Sequence, residues 1–151
     1  MVKASAPGKC ILFGEHAVVY GQPALACSIS QRMTIELKEE KTFDTWRLDG
    51  RTFNPKKHPH IDYLRKQLPP IEEHPIHIRI RGSIPKASGL GSSAALSVAL
   101  CGALQQLRGA DLNPMQASEL SHRAEANAQG GRASPMDTAT SSFGGFVVLS
   151  D

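Results

Sequence analysis

Aromatic side chains are scarce in this sequence, with one tryptophan, two tyrosines and five phenylalanines among 151 residues. Small aliphatic side chains must therefore do most of the core packing. Cysteine is nearly as sparse. Cys10, Cys27 and Cys101 are odd in number, far apart along the chain and without any metal-type pair spacing. That pattern suits buried free thiols in a reducing cytoplasm better than a disulfide framework. Long apolar runs are missing too. The longest, residues 94–104, contains Ser97 and Gly102 and is far too short to span a bilayer. The first twenty residues are fairly apolar, but Lys9, Glu15 and His16 interrupt any signal-peptide core. Charge of one sign is not concentrated anywhere. A formal net charge of +3 favours a small anionic substrate slightly and does not make the basic stripe of a nucleic-acid binder. No repeat or low-complexity tract occurs. With 40% apolar and 21% charged residues, the chain reads as one ordinary soluble, cytoplasmic globular domain with no membrane or nucleic-acid partner.

What is present divides into strands and then helices. Residues 2–6 read as an opening strand ended by Pro7-Gly8, and residues 24–29 and 33–38 as two β-like runs. Asp49-Gly50 between 46–48 and 52–53 is a two-residue hairpin signal. Residues 60–68 suggest a short helix before Pro69-Pro70. Ile76, Ile78 and Ile80 alternate with His77, Arg79 and Arg81, which predicts a strand with one wet face. From Ser92 to about Leu107 the residues are small and apolar all round, the pattern of a buried helix. Asn113-Pro114 supplies an N-cap and a first-turn proline for a helix running to about Gln129 and stopping at Gly130-Gly131. A loop through Asp137, a short helical piece and a strand over 146–149 complete an α+β arrangement with helices on one sheet face. The sequence stops at Ser150-Asp151, just past an apolar strand, and the expectation is a cut within a longer protein.

Three patches carry possible chemistry. The segment Pro85-Lys86-Ala87-Ser88-Gly89-Leu90-Gly91-Ser92-Ser93-Ala94 leads into the small-residue helix. Glycines let backbone N–H groups approach an anion, and the helix start adds unpaired donors and a positive dipole end. The order of residues is neither GxxxxGK[ST] nor GxGxxG, so a serine-capped helix after a flexible turn is the plain alternative. Residues 7–24, PGKCILFGEHAVVYGQPA, place Lys9, Glu15 and His16 among apolar neighbours. A part-buried lysine needs an anionic partner, whereas a surface Lys–Glu pair would need nothing more. In residues 134–145, SPMDTATSSFGG, Asp137 could be a helix cap, and Glu125 on the preceding helix a solvated charge. His58, His60, His74 and His77 match no zinc-site spacing and read as loop histidines.

Together the strings PGKxxLFGEHxVVxGxPA, GLGSSA and SPMDTATSSFGG resemble the GHMP kinases, over nearly the whole chain, and within them the archaeal mevalonate-phosphorylating branch. The resemblance implies an α+β fold similar to domain 2 of ribosomal protein S5, with residues 1–151 as the N-terminal ATP-binding domain and the C-terminal GHMP domain absent. It implies ATP and Mg²⁺ as cofactors and phosphorylation of mevalonate, in isoprenoid biosynthesis, as the activity. Residues 85–94 would cradle the ATP phosphates. Ser92 and Glu125 would ligate Mg²⁺, Asp137 would be the general base, and Lys9 would stabilise the developing alkoxide. Lys9, Glu15 and His16 would line the mevalonate site, and the full-length enzyme could be a homodimer. Phosphoryl transfer needs positioning and charge neutralisation more than covalent chemistry, which suits this set of residues.

Three departures from the family pattern stand out. Lys86-Ala87 replaces a smaller, often glycine-containing pair. The Gly130-Gly131-Arg132 turn is one residue longer than usual, and the glycine-rich third motif is missing. Two other readings stay open on the sequence: another GHMP substrate, such as phosphomevalonate or a sugar, or a nucleotide-binding remnant without activity.

Overall fold

The computed structural model describes residues 1–15, 20, 22–70, 74–85, 87–111 and 113–150. His16 and Lys86, both expected at the site, lie outside the described residues. The strands are β1 (Val2–Phe13), β2 (Ala24–Glu39), β3 (Arg47–Leu48), β4 (Arg51–Thr52), β5 (Ile76–Gly82) and β6 (Phe146–Leu149). The helices are α1 (Pro59–Gln67), α2 (Ser92–Leu107), α3 (Pro114–Ala128) and α4 (Pro135–Phe143). One mixed sheet runs in the order β1-β2-β5-β3-β4, with β6 added to β2. β5 and β6 pair with opposite ends of the long β2, at residues 33–39 and 24–27, and only the β3–β5 pair is parallel among the described pairs.

The runs 24–29 and 33–38, expected as two strands, are one continuous strand, because β1 pairs with β2 on both sides of the junction, at residues 25–28 and 32–37. Pro7-Gly8 likewise does not end β1. The register steps from Pro7 opposite Arg32 to Lys9 opposite Ser28, so the dipeptide is absorbed as a bulge. β1 is an edge strand, where the missing proline donor is tolerated. The Asp49-Gly50 hairpin forms as expected, both central residues at positive φ. Of the histidines read as loop residues, His60 falls in the first turn of α1 and His77 in β5. The His77 ring nitrogen Nε2 there accepts the Gly50 N–H at 3.0 Å.

Helix α2 explains its own composition. It packs on β1 and β2 on one side and on α1, α3 and α4 on others, so nearly every face is covered. Ala95, Leu100, Cys101, Ala103 and Leu104 have no exposed surface. The sheet offers them Ile35, Leu37, Ile76 and Ile78, and burying each such large side chain contributes about 1.5–3 kcal/mol. Small residues on α2 let the helix sit close to the sheet, which fixes where its N-terminus points. Helix α3 is capped as expected, the Asn113 side chain accepting from the Met115 and Gln116 amides. Helix α4 begins at Pro135 with Ser134 in the cap position. Asp137 is therefore inside the first turn, neither in a loop nor a cap.

On the far side of the sheet from α4, facing residues form two apolar rows. Cys10, Cys27 and Phe146 make one, and Phe13, Leu25 and Val148 the other. Phe13, Phe146 and Val148 are 72%, 75% and 63% exposed.

Candidate active site

The β1 bulge brings Lys9 under the glycine-rich loop. In the bulge after Pro7-Gly8 the Lys9 amide leaves the sheet and donates to Leu90 O at 3.0 Å. Gly8 makes the approach possible, since a Cβ there would lie 2.7 Å from the same Leu90 oxygen. The Lys9 side chain then runs beneath Gly91, where an added Cβ would meet Lys9 Cγ at 2.8 Å and where φ is +70°. No other residue type fits both the contact and the backbone.

Gly91 is also the cap residue of α2, and no side chain caps the helix. No acidic residue occupies the first turn either. The first intrahelical bond closes from Ala95 N–H to Gly91 O, which leaves the amides of Ser92, Ser93 and Ala94 without helical acceptors. Ser88 and Gly89 are exposed beside them. An open, uncapped helix start with a positive dipole end is an anion seat.

Beneath this seat lies an ion pair. Lys9 Nζ is 3.0 Å from Asp137 Oδ1, the lysine side chain only 8% exposed and the aspartate 29%. The surface Lys–Glu alternative is thereby excluded for Lys9. The contact is not aligned as a hydrogen bond, and the buried Oδ1 keeps its acceptor capacity. A carboxylate oxygen with an unspent lone pair, beside an ammonium, can accept a proton from an alcohol.

On the other side of the helix start, Glu125 of α3 is buried rather than solvated, at 4% exposure. Its Oε2 accepts from the Ser93 hydroxyl at 2.6 Å and from Gln129 Nε2 at 3.2 Å. Its Oε1 accepts from the buried Ser97 hydroxyl at 2.6 Å. The hydroxyl that reaches Glu125 is thus that of Ser93, the neighbour of Ser92. Ser97 and Gln129 went unnoticed in the sequence, although each is four residues from a site residue on the same helix, the spacing that puts side chains on one face. His60 of α1 also faces this carboxylate. Burial holds its imidazole below the usual histidine range, outweighing the attraction of Glu125.

The structure thus joins Lys9, Asp137, residues 89–94 and Glu125 in one continuous patch. Glu15 is exposed in the turn after β1, and no ion pair or hydrogen bond ties it to Lys9 or Asp137 among the described residues. Also among the described residues, no three His, Cys, Asp or Glu side chains stand together as a metal cage. No described helix is long and apolar enough to cross a membrane.

Comparison with known proteins meets the same pattern. The profile of the GHMP kinases N terminal domain matches residues 57–145. A protein of Methanothermobacter thermautotrophicus described as mevalonate kinase is 43% identical over 150 residues, covering 97% of this chain and 49% of the relative. One from Archaeoglobus fulgidus with the same description is 38% identical over 144 residues, covering 94% of this chain and 50% of the relative. Among solved structures, the Methanococcus jannaschii mevalonate kinase superposes with a TM-score of 0.84 at 28% identity, over 98% of this chain and 53% of that one. The chain spans about half the length of the curated relatives it matches.

Proposed function

This chain belongs to the GHMP kinase family, and from that premise we propose that it supplies the phosphate-binding and proton-accepting half of an enzyme transferring the γ-phosphoryl group of ATP to the primary hydroxyl of mevalonate. The single observation that carries the reading is the buried Lys9–Asp137 pair, 3.0 Å across, directly below an uncapped helix start. The α2 amides of Ser92, Ser93 and Ala94 receive phosphate oxygens. Asp137 Oδ1 takes the hydroxyl proton as the new O–P bond forms and the bond to the β-phosphate oxygen breaks, with ADP leaving. Lys9 Nζ stabilises the negative charge growing on the attacking oxygen.

The donor set also suits a hard divalent cation. Glu125 and a serine hydroxyl, Ser93 by its 2.6 Å contact, with Ser92 beside it, offer oxygen only, and Mg²⁺ keeps phosphate and water for its remaining positions. When bound, such a cation neutralises charge on the phosphates. Mevalonate as the acceptor is supported by the Glu15-His16 string and by the descriptions of the relatives.

The test joins this chain to the half of the M. thermautotrophicus relative that it does not span. The expected result is MgATP-dependent phosphorylation of mevalonate at its primary hydroxyl. Phosphorylation of phosphomevalonate or a sugar in a substrate panel, with mevalonate ignored, would reject the acceptor. A folded chimaera that binds ATP and phosphorylates nothing would reduce the chain to a nucleotide-binding remnant.

A further inference from the structure

We propose that Cys10 and Cys27 are a modification site, closing a reversible disulfide across β1 and β2 one residue from Lys9. Their spacing in sequence gives no hint of it, but in the sheet they are direct partners. The hydrogen bonds around them fix what kind of partners. The Lys9 N–H donates to Leu90 and the Ser28 N–H to Gly145, so those two facing residues turn their amides away from each other. The next facing pair, Cys10 after Lys9 and Cys27 before Ser28, therefore occupies a hydrogen-bonded position of the antiparallel ladder. There the Cα atoms stand about 5.5 Å apart, near the commonest separation for a disulfide.

Both side chains lie on the same sheet face, part-exposed, and both thiols are free. The Cys10 Sγ makes only a weak 3.8 Å contact with the Ile11 carbonyl. Facing Cβ atoms at a hydrogen-bonded position stand about 5.5 Å apart, wider than the ~3.5–4.5 Å of a relaxed disulfide. The bond consequently forms under strain, and strained links are the readily reduced ones. Cys101 is the built-in contrast. It is fully buried in α2, and burial pushes its thiol up to about 11, so it stays unreactive while the chain is folded.

The oxidant is a small-molecule disulfide such as oxidised glutathione. One cysteine thiolate attacks it, releasing one glutathione and leaving a mixed disulfide. The second thiolate then attacks the protein sulfur and releases the other. Two protein thiols become one disulfide, and two glutathione thiols take up the two electrons and two protons. Drawing β1 towards β2 at Cys10 moves the backbone of Lys9, whose amide holds the phosphate loop through Leu90. The disulfide itself does not depend on the kinase reading.

The experiment incubates the folded chain in graded ratios of oxidised to reduced glutathione, alkylates free thiols, and maps peptides without reduction. The expected product is a Cys10–Cys27 linked peptide within one chain, reversed by dithiothreitol, with Cys101 alkylated only after denaturation. Cys10→Ser should leave Cys27 able to form only a glutathione adduct. Hydrogen exchange at the Lys9 amide should quicken on oxidation, and an unchanged rate would overturn the coupling to the loop. Cys10 and Cys27 that stay free under strongly oxidising ratios, or that carry only glutathione or interchain links, would overturn the site.

Discussion

Lys9 serves the site through its amide, its methylenes and its ammonium at once, which makes it a poor residue to test by deletion. Asp137 is cleaner, because asparagine keeps its shape and removes only the charge and the basicity. In the completed enzyme Asp137→Asn should lower kcat by roughly 10²–10⁴-fold, the range of a lost general base, with little change in ATP affinity. Near-normal turnover would reduce the aspartate to a first-turn helix charge. Ser97 offers a second test, because its hydroxyl bonds Glu125 Oε1 at 2.6 Å from a fully buried position. Ser97→Ala should raise the Mg²⁺ concentration needed for nucleotide binding by about 10–100-fold, as loss of a partner that orients a ligand does. Titrating Mg²⁺ against a fluorescent ATP analogue would show it, and an unaltered requirement would separate Ser97 from the cation site. The sequence makes Lys9 and Asp137 visible as members of separate patches. That they pair, and that Glu125 is buried among hydroxyls, depends on α4 packing beside β1 and α3 beside α2, which no local pattern encodes. His16 lies outside the described residues, and its expected role in the acceptor site stands as a proposal.

Helix α2 runs over the residues the sequence predicts, and α3 starts on its predicted cap, because both carry strong local signals. The one is uniformly small and apolar, the other opens on Asn113-Pro114. Elements fixed by pairing were less legible. Proline and glycine at 7–8 punctuate a strand when read locally, yet the neighbouring β2 carries β1 past them and turns the irregularity into the bulge that seats Lys9. Similarly, residues 30–32 look like a break in β2, yet the strand continues through them because its partners resume at Arg32 and Met33. Helix α1 gives an electrostatic test at this scale. Burial pushes the Asp62 carboxyl up, but hydrogen bonds from Lys66 and Arg65 overcome this and leave its pKa lowered. A carboxyl depressed on folding contributes stability above its unfolded value, and loses it as pH falls through the folded one. Asp62→Asn should therefore lower the melting temperature at pH 7, by the equivalent of about 0.5–1 kcal/mol for part-exposed pairs. The gap to the parent chain should close as the pH falls below the ordinary aspartate range. A gap that persists in acid would mean that Asp62 acts through helix-end packing instead.

At the scale of the whole molecule, the proposed seat for phosphate is built from a local element, and the described residues around it leave it open. The amides of Ser92, Ser93 and Ala94 belong to a local element, so they are in place in this chain by itself. Ser88 and Gly89 next to them are exposed, and the Asp137 side chain below keeps 29% of its surface open. Water competing at such a site raises the effective dielectric and weakens each charge contact several-fold. The expected outcome is that the chain alone binds MgATP more weakly than about 0.1 mM, near −5.5 kcal/mol, and turns over no mevalonate. The apolar rows on the far sheet face, with Phe13, Phe146 and Val148 more than 60% exposed, form the kind of contiguous patch that drives association in water. Light scattering over a concentration series should accordingly show self-association, and replacing Phe146 with a charged residue should reduce it. Isothermal titration with a non-hydrolysable ATP analogue checks the binding. Micromolar affinity in a clean monomer that phosphorylates mevalonate would mean that this half encloses its substrates unaided. Water would then be kept from the site by the glycine-rich loop itself.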